Sequence, residues 1–288
     1  MSMQRGWRHP MTWAVSALVL LFLAAPSAMA EGRGWLLPES ISEIGDRIDH
    51  LFWVIFVLVG VVFVGTEGLL LWFMVKYRAK EGGKAHYTHG NHKLEIIWTL
   101  IPAVILGVLA FAQFGLWQEI KDPEKAPIND PRAVEVHVLA KQFEWLFRYP
   151  GPDNTWGTED DFSFSRLVVP QDRPVIVRLK SLDVIHSLYL PELRFKQDAV
   201  PGLVITGWFQ AYKSGNWEIA CAELCGASHY KMRGEYEIVP ENEWDARYAE
   251  MAEKAGPIDY GRPTEFFRFW PLAEYVDELK KSVPQEGR

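Results

Sequence analysis

Two long apolar runs within the first 117 residues constrain this chain more than any other feature. Leu51 to Val75 carries one charge, Glu67, and Leu94 to Trp117 carries one, Glu95, with Pro102 inside it. Each run reaches the roughly 20 residues that an α-helix needs to cross a bilayer. The link between them bears Lys76, Arg78, Lys80, Lys84 and Lys93 against a single acid, Glu81. Short basic loops stay in the cytoplasm, so the pattern predicts transmembrane helices over 51–75 and 94–117, a cytoplasmic loop over 76–93, and both ends of the hairpin outside. Trp72, Tyr77, Trp98 and Trp117 fall near the span ends, where amphipathic rings favour the interface.

The first thirty residues read as a secretory signal. Arg5 and Arg8 form a positive start, Ala14 to Ala25 a short apolar stretch, and Ala28-Met29-Ala30 a small-x-small cleavage site. The alternative is a further transmembrane helix, for which the apolar run is short. With 1–30 removed, 31–50 is a mature N-terminal segment on the outside. The two acids in the spans need a reason, because an ionised carboxylate facing lipid is costly. Glu95 lies at the cytoplasmic edge. Glu67 is deeper, and reads either as a proton-path residue or as an acid bonded to a neighbouring subunit.

Beyond the spans the composition changes. Asp122, Pro123, Pro127, Asp130 and Pro131 mark a linker over 118–131. Short strand-like runs follow at 134–139, 162–169, 175–179, 203–210, 216–220 and 235–239, separated by turns such as Pro150-Gly151-Pro152, Pro201-Gly202 and Ser214-Gly215. Such spacing predicts an all-β antiparallel sandwich or barrel over 132–240. From Glu241 to about Ala255 the spacing of Trp244, Tyr248 and Met251 is helical. A C-terminal helix and tail then fill 241–288, and the Phe266, Phe267, Phe269 and Trp270 cluster predicts that the tail packs on this domain or on a partner. The formal charge of -7 argues against nucleic acid as a partner and suits a basic protein.

The chemistry is concentrated in Cys221-Ala222-Glu223-Leu224-Cys225-Gly226-Ala227-Ser228-His229-Tyr230-Lys231-Met232. A disulfide between these two cysteines would close a short loop, so they read better as metal ligands or a redox pair. Soft sulfur combined with imidazole selects copper. A single blue-copper site needs one Cys, two His and a weak Met; here a second Cys precedes that set by four residues. Two bridging thiolates can hold two ions, each completed by one His, and His186 is the best second imidazole. Zinc is the competing reading, since Cys2His2 is a tetrahedral zinc set. It leaves Met232 unused, unless Met232 only fills space. The chain has no CxxCH, so it attaches no c-type haem.

These residues resemble subunit II of the haem-copper cytochrome c oxidases. The likeness runs from the hairpin to about Pro240. It rests on Glu95-Ile96-Ile97-Trp98-Thr99 with Pro102, Gln142 to Trp145, Asp183-Val184-Ile185-His186-Ser187, Lys196-Gln197-Asp198-Ala199-Val200-Pro201-Gly202, and the cysteine loop. It implies a transmembrane hairpin carrying a cupredoxin-like Greek-key barrel or sandwich, in a bacterial inner membrane, with the barrel on the periplasmic side. It also implies a binuclear CuA centre that takes electrons from cytochrome c and passes them to haem in subunit I, for O2 reduction coupled to proton pumping. By position, Cys221 and Cys225 bridge the coppers, His186 and His229 bind one each, Met232 is a weak ligand to one, and the Glu223 carbonyl a weak ligand to the other. The resemblance assigns the Glu223 side chain to a Mg2+ shared with subunit I, places Asp198 at that interface, and makes Glu95 a proton-pathway entrance. The implied partners are subunit I with other oxidase subunits, cytochrome c or a similar donor, and membrane lipid; haem belongs to the partner subunit. One departure matters. The family's aromatic segment carries Trp where Phe143 stands, which puts the usual electron-accepting position in doubt and leaves Trp145 as a candidate. The acids Glu159, Asp160 and Asp161 could attract a basic donor. Rival readings are a CuA subunit of a nitric oxide reductase and a membrane-anchored copper-delivery cupredoxin. A quinol oxidase subunit would lack the copper ligands, and a nitrous oxide reductase is a large soluble propeller.

Overall fold

The computed structural model describes residues 37–84, 86–122, 124–158 and 160–255. The proposed signal at 1–30, the aromatic cluster at Phe266 to Trp270, and Glu159 lie outside the described residues. Two long helices come first, α1 (Glu43–Lys76) and α2 (His92–Lys121). Ser42 caps α1 by accepting from the Gly45 amide at 2.9 Å, with Glu43 and Asp46 in the first turn and Lys76 in the last. Those charges complement the helix dipole. Asn91 caps α2 in the same way through the Leu94 amide, at 3.2 Å. Both helices are apolar enough to span a bilayer, with mean hydropathy of 2.5 and 2.3 in their best windows. They also run past the apolar stretches at the outer end, where polar side chains tie them down. Arg47 pairs with Glu119 across the helices at 2.7 Å. Asp49 takes both arms of Arg194 from the β-domain, each at 2.7 Å. Lys121 donates to Gln197 at 2.8 Å, and the Trp208 indole to the Glu119 carbonyl at 3.3 Å.

The remainder is two five-stranded sheets. The first has the order β3 (Phe162–Phe164), β2 (Glu144–Tyr149), β1 (Val134–Lys141), β5 (Val175–Ser181), β8 (Ile205–Phe209). The second has the order β4 (Leu167–Pro170), β10 (Arg233–Val239), β9 (Gly215–Cys221), β6 (His186–Leu190), β7 (Phe195–Ala199). One core cluster joins them. Val136, Val138, Phe147, Tyr149, Val177 and Leu179 come from the first sheet, and Leu188, Leu190, Ile219, Tyr236 and Ile238 from the second. Each fully buried large side chain of this kind stabilises the fold by about 1.5–3 kcal/mol. Cys225 and Met232 belong to the same cluster. The final helix, α3 (Trp244–Ala255), buries Trp244 and Met251 on the β-domain, and the Tyr248 hydroxyl donates to the Pro150 carbonyl.

The sheets are not wholly antiparallel, as the sequence suggested. β1 runs parallel to β5, and β4 parallel to β10. Parallel neighbours need a long crossover, and the segments 142–174 and 171–232 supply them. The run expected as one strand over 162–169 is broken into β3 and β4, which lie in different sheets.

A polar cluster covers the outer face of the first sheet. His137 of β1 stacks on Trp156 with ring centroids 3.5 Å apart and 4° between planes, and Nε2 lies 2.9 Å from Glu135. Arg148 of β2 sits over the same Trp156 and pairs with Asp161. Asp161 is 0% exposed, so it does not offer the surface charge to a donor that the sequence reading allowed for it. Its carboxylate also accepts from the Gly157 amide at 2.9 Å, holding the covering loop against the sheet. Burial pushes His137 down to about 4, against the opposing pull of Glu135. The folded value lies below the unfolded one of about 6.5, so the unfolded chain takes the proton more readily. The stabilisation is complete above about pH 6.5 and is lost as pH falls towards 4, by up to about 3 kcal/mol. Melting of the purified chain followed by tryptophan fluorescence should therefore show an acid limb that His137→Gln flattens. An unchanged acid slope in that variant would remove His137 as the cause.

Candidate metal centre

The cysteine loop joins β9 to β10, with Cys221 as the last residue of β9. The Cys221 amide donates to the Met232 carbonyl at 3.1 Å, closing the loop at its base. β9 also pairs with β6, where Leu188 lies opposite Cys221 and the Ala222 amide donates to the Ser187 carbonyl at 3.0 Å. This pairing carries His186, the first residue of β6, up to the loop. His186 opens that strand, after residues 182–185 turn between β5 and β6. A one-turn 3-10 helix at His229–Lys231 then brings His229 and Met232 back towards the thiols.

The donors converge. Cys221 and Cys225 Sγ are 3.9 Å apart. That is far beyond the roughly 2.05 Å of a disulfide, yet within reach of one ion touching both sulfurs at about 2.3 Å. His186 Nδ1 stands 4.0 Å from Cys221 Sγ, and His229 Nδ1 stands 3.4 Å from Cys225 Sγ. Met232 Sδ lies 3.7 Å from Cys225, and the Glu223 carbonyl 3.3 Å from Cys221. Two thiols therefore sit in the middle, with one imidazole and one weak donor towards each end. Every copper-ligand residue expected from the sequence is in this group. A zinc site would leave Met232 a packing role only, whereas a copper site can also use its sulfur as a soft donor.

The supports of these donors are visible as well. His186 is fully buried, and its Nε2 lies 2.8 Å from Asp183 Oδ1, which turns Nδ1 towards the thiols. Burial alone would raise the Asp183 carboxyl, but hydrogen bonds from His186 and from the Gln142 and Val184 amides hold it low. Burial also opposes a charged His186, yet its bonds to Cys221 and Asp183 bring it above its ordinary value. Burial would raise Cys221 too; contacts with His186, the Ser187 backbone, the Glu223 backbone and His229 outweigh it and bring that thiol down to about 6. Cys225, more deeply set and beside Cys221, is pushed up to about 11 by burial and by its neighbour's charge. The pair thus loses one proton readily and keeps the second until something cationic displaces it.

Three supports of the donors were not assigned from the sequence: Gln142, Gly226 and Asp183. The Gln142 side-chain amide donates to the Cys225 carbonyl, and Phe143 packs beside it against Gly226. Gly226 has φ +140°, and an added Cβ there would sit 2.7 Å from the Gln142 amide nitrogen and 3.1 Å from the Phe143 ring. Only glycine fits that turn. Asp183 stands three residues before His186, a spacing that could have marked it as the partner of that ring. Trp145 is 4% exposed, so a docking donor cannot touch it; its ring lies edge-on to His186, 6.1 Å away. Glu95 is not near this group. It lies exposed in the first turn of α2, with His92 Nδ1 at 3.4 Å. Leu224 (79% exposed) and Tyr230 of the loop, and Val184 and Ile185 just before His186, are exposed apolar side chains.

Two family models match the chain. Residues 30–116 match the one described as cytochrome c oxidase subunit II, transmembrane domain, and residues 160–239 the one described as its periplasmic domain. The alternative cytochrome c oxidase subunit 2 of Bradyrhizobium diazoefficiens is 32% identical over 83% of this chain and 93% of its own length. The cytochrome c oxidase subunit 2 of Thermostichus vulcanus is 28% identical over 85% of this chain and 87% of its own. The crystal structure of the periplasmic domain of cytochrome oxidase subunit II from Bradyrhizobium japonicum is 27% identical, covers 43% of this chain and 96% of that one, and superposes with a TM-score of 0.38. Two apolar helices matched to a transmembrane domain, followed by a match to a periplasmic domain, make this a two-span membrane protein with its β-domain on the periplasmic side. The convergent sulfur and imidazole donors and these matches agree, and the chain belongs to the cytochrome c oxidase subunit II family.

Proposed function

We propose that this chain holds a binuclear CuA centre that accepts electrons from a periplasmic cytochrome c and delivers them to haem in subunit I. The observation that carries the reading is the pair of thiols 3.9 Å apart, with an imidazole nitrogen near each. Cys221 and Cys225 would bridge the ions, His186 and His229 would each complete one, and Met232 and the Glu223 carbonyl would be the weak donors. A copper pair held there supplies one-electron redox chemistry. The protein keeps the donors still: Asp183 orients His186, Gln142 pins the Cys225 carbonyl, and Cys225 and Met232 are packed into the core. Ligands that cannot move lower the cost of changing charge, and burial of the Cys225 and Met232 sulfurs excludes water from that side.

The two sheets and their shared core support the finer reading of a closed cupredoxin-like Greek-key barrel. The exposed side chain of Glu223, next to the exposed Leu224 on the same loop, suits a Mg2+ shared with subunit I once that surface is covered. Phe143, half-buried and packed against Gly226 of the metal loop, is the better candidate for receiving electrons from the donor. Glu95, exposed at the cytoplasmic end of α2, suits the entrance of a proton pathway. Glu95→Ala should slow proton-coupled haem reduction roughly ten-fold or more, while electron arrival at copper stays unchanged; normal turnover would take it out of the path. No observation favours the nitric oxide reductase reading.

Metal analysis of the purified complex tests the main proposal. Two coppers per chain outside the haem subunit, with a seven-line mixed-valence spectrum, are expected. One zinc, or a single copper with an ordinary four-line spectrum, would overturn it.

A further inference from the structure

Glu67 is the one charge deep in α1, and the electron-transfer reading makes no use of it. Among the described residues it has no hydrogen-bond or ion-pair partner. It lies roughly 13 Å along the helix from Lys76, at 1.5 Å per residue, and about 6 Å from the centre of the apolar run. A glutamate side chain is too short to reach the headgroups from there. A carboxyl at that depth faces hydrocarbon unless protein covers it, and acids so placed are costly.

The second helix of the hairpin does not cover it. Within the apolar runs, the half-covered side chains of α1 are Leu51, Ile55 and Leu58, and those of α2 are Ile105, Leu109 and Leu116. These mark the seam between the helices. At 3.6 residues per turn, Glu67 stands about 150° round α1 from that seam. From Val61 to Lys76 every side chain of α1 is exposed, Val64 by 67% and Leu71 by 57%. Among the described residues the cytoplasmic half of α1 thus has no packing partner, and its outward face carries a polar group that lipid cannot satisfy.

We infer that the Glu67 face of α1 is a docking surface for a transmembrane helix of another oxidase subunit, one that presents a hydrogen-bonding side chain at mid-membrane depth. Phe63, Val64, Leu71 and Met74 flank Glu67 on that face and supply the apolar contact around the polar one. The carboxyl acts here as a positioning group, fixing depth and rotation of α1 against its neighbour. In lipid, where apolar contact alone discriminates poorly between orientations, a single polar pair sets register.

The inference rests on the reading of the chain as an oxidase subunit, and the test separates the two. The full complex is purified through this chain from membranes of wild type, Glu67→Leu and Glu67→Gln, and co-purifying partner subunit and copper are measured per chain. Glu67→Leu is expected to lower partner recovery roughly three- to ten-fold. Copper per chain should stay unchanged in that variant, since the outer domain still folds. Glu67→Gln, whose amide still hydrogen-bonds, should recover partner and turnover to within about two-fold. Full partner recovery with Glu67→Leu would overturn the inference. So would normal assembly of Glu67→Gln with lost turnover, which would make Glu67 a proton carrier. A wild-type chain that brings down no haem-bearing subunit would instead overturn the functional reading itself.

Discussion

Cys225→Ser should leave the chain folded and membrane-inserted but without its mixed-valence copper spectrum, and the oxidase should lose turnover with cytochrome c by more than about 100-fold. Removing a partner that merely orients a ligand costs about 10–100-fold in affinity, so losing a central sulfur costs more. Cys225 is that sulfur: it lies between Cys221, His229 and Met232. Serine occupies nearly the same volume, so the core around position 225 stays filled while the soft donor is gone. Artificial donors that reduce the haem directly should restore most turnover, which locates the defect at electron arrival. A seven-line spectrum in the variant would sink the assignment of Cys225 as a bridge.

Asp161→Ala should destabilise the outer domain by about 3–5 kcal/mol, because it removes the carboxylate paired with the buried Arg148 guanidinium. Both side chains are almost wholly inside, Arg148 at 5% and Asp161 at 0% exposure. The same carboxylate holds the Gly157 amide, so its loss also frees the loop that lays Trp156 over His137. Denaturant unfolding measures the effect. Replacing both partners with apolar residues should recover much of the loss, since a buried pair contributes less than its removal costs. A single-variant change below 1 kcal/mol would mean that water reaches Arg148 in the folded state.

Sequence and structure agree most closely where one chemical demand dominates. Hydropathy marked both spans because a bilayer leaves no other way to satisfy the backbone. Their outer extensions, Glu43 to His50 and Gln118 to Lys121, were not marked, since these turns are held by Asp49–Arg194 and Lys121–Gln197 contacts that cross the fold. Three strands were missed. β2 is Glu-Trp-Leu-Phe-Arg-Tyr, with Arg148 buried against Asp161, and β7 is Phe-Lys-Gln-Asp-Ala, too polar to read as strand. β6 hides because it opens on His186, a metal ligand, and is paired on both sides. At the metal loop the donors were legible because copper demands sulfur and imidazole together. Gln142, Gly226 and Asp183 were not, because a support is defined by what it touches.

The clamps at the outer ends of the two helices have a consequence for rate. Asp49 with Arg194, Lys121 with Gln197 and the Glu119 carbonyl with Trp208 join the β-domain to both helices. A domain on a slack tether would sway, and electron tunnelling decays exponentially with separation, so its inward step would flicker between fast and stalled. Bolted at several points, the domain keeps its redox group at one height above the bilayer. Loosening a clamp should then broaden the distribution of transfer times before it changes their mean.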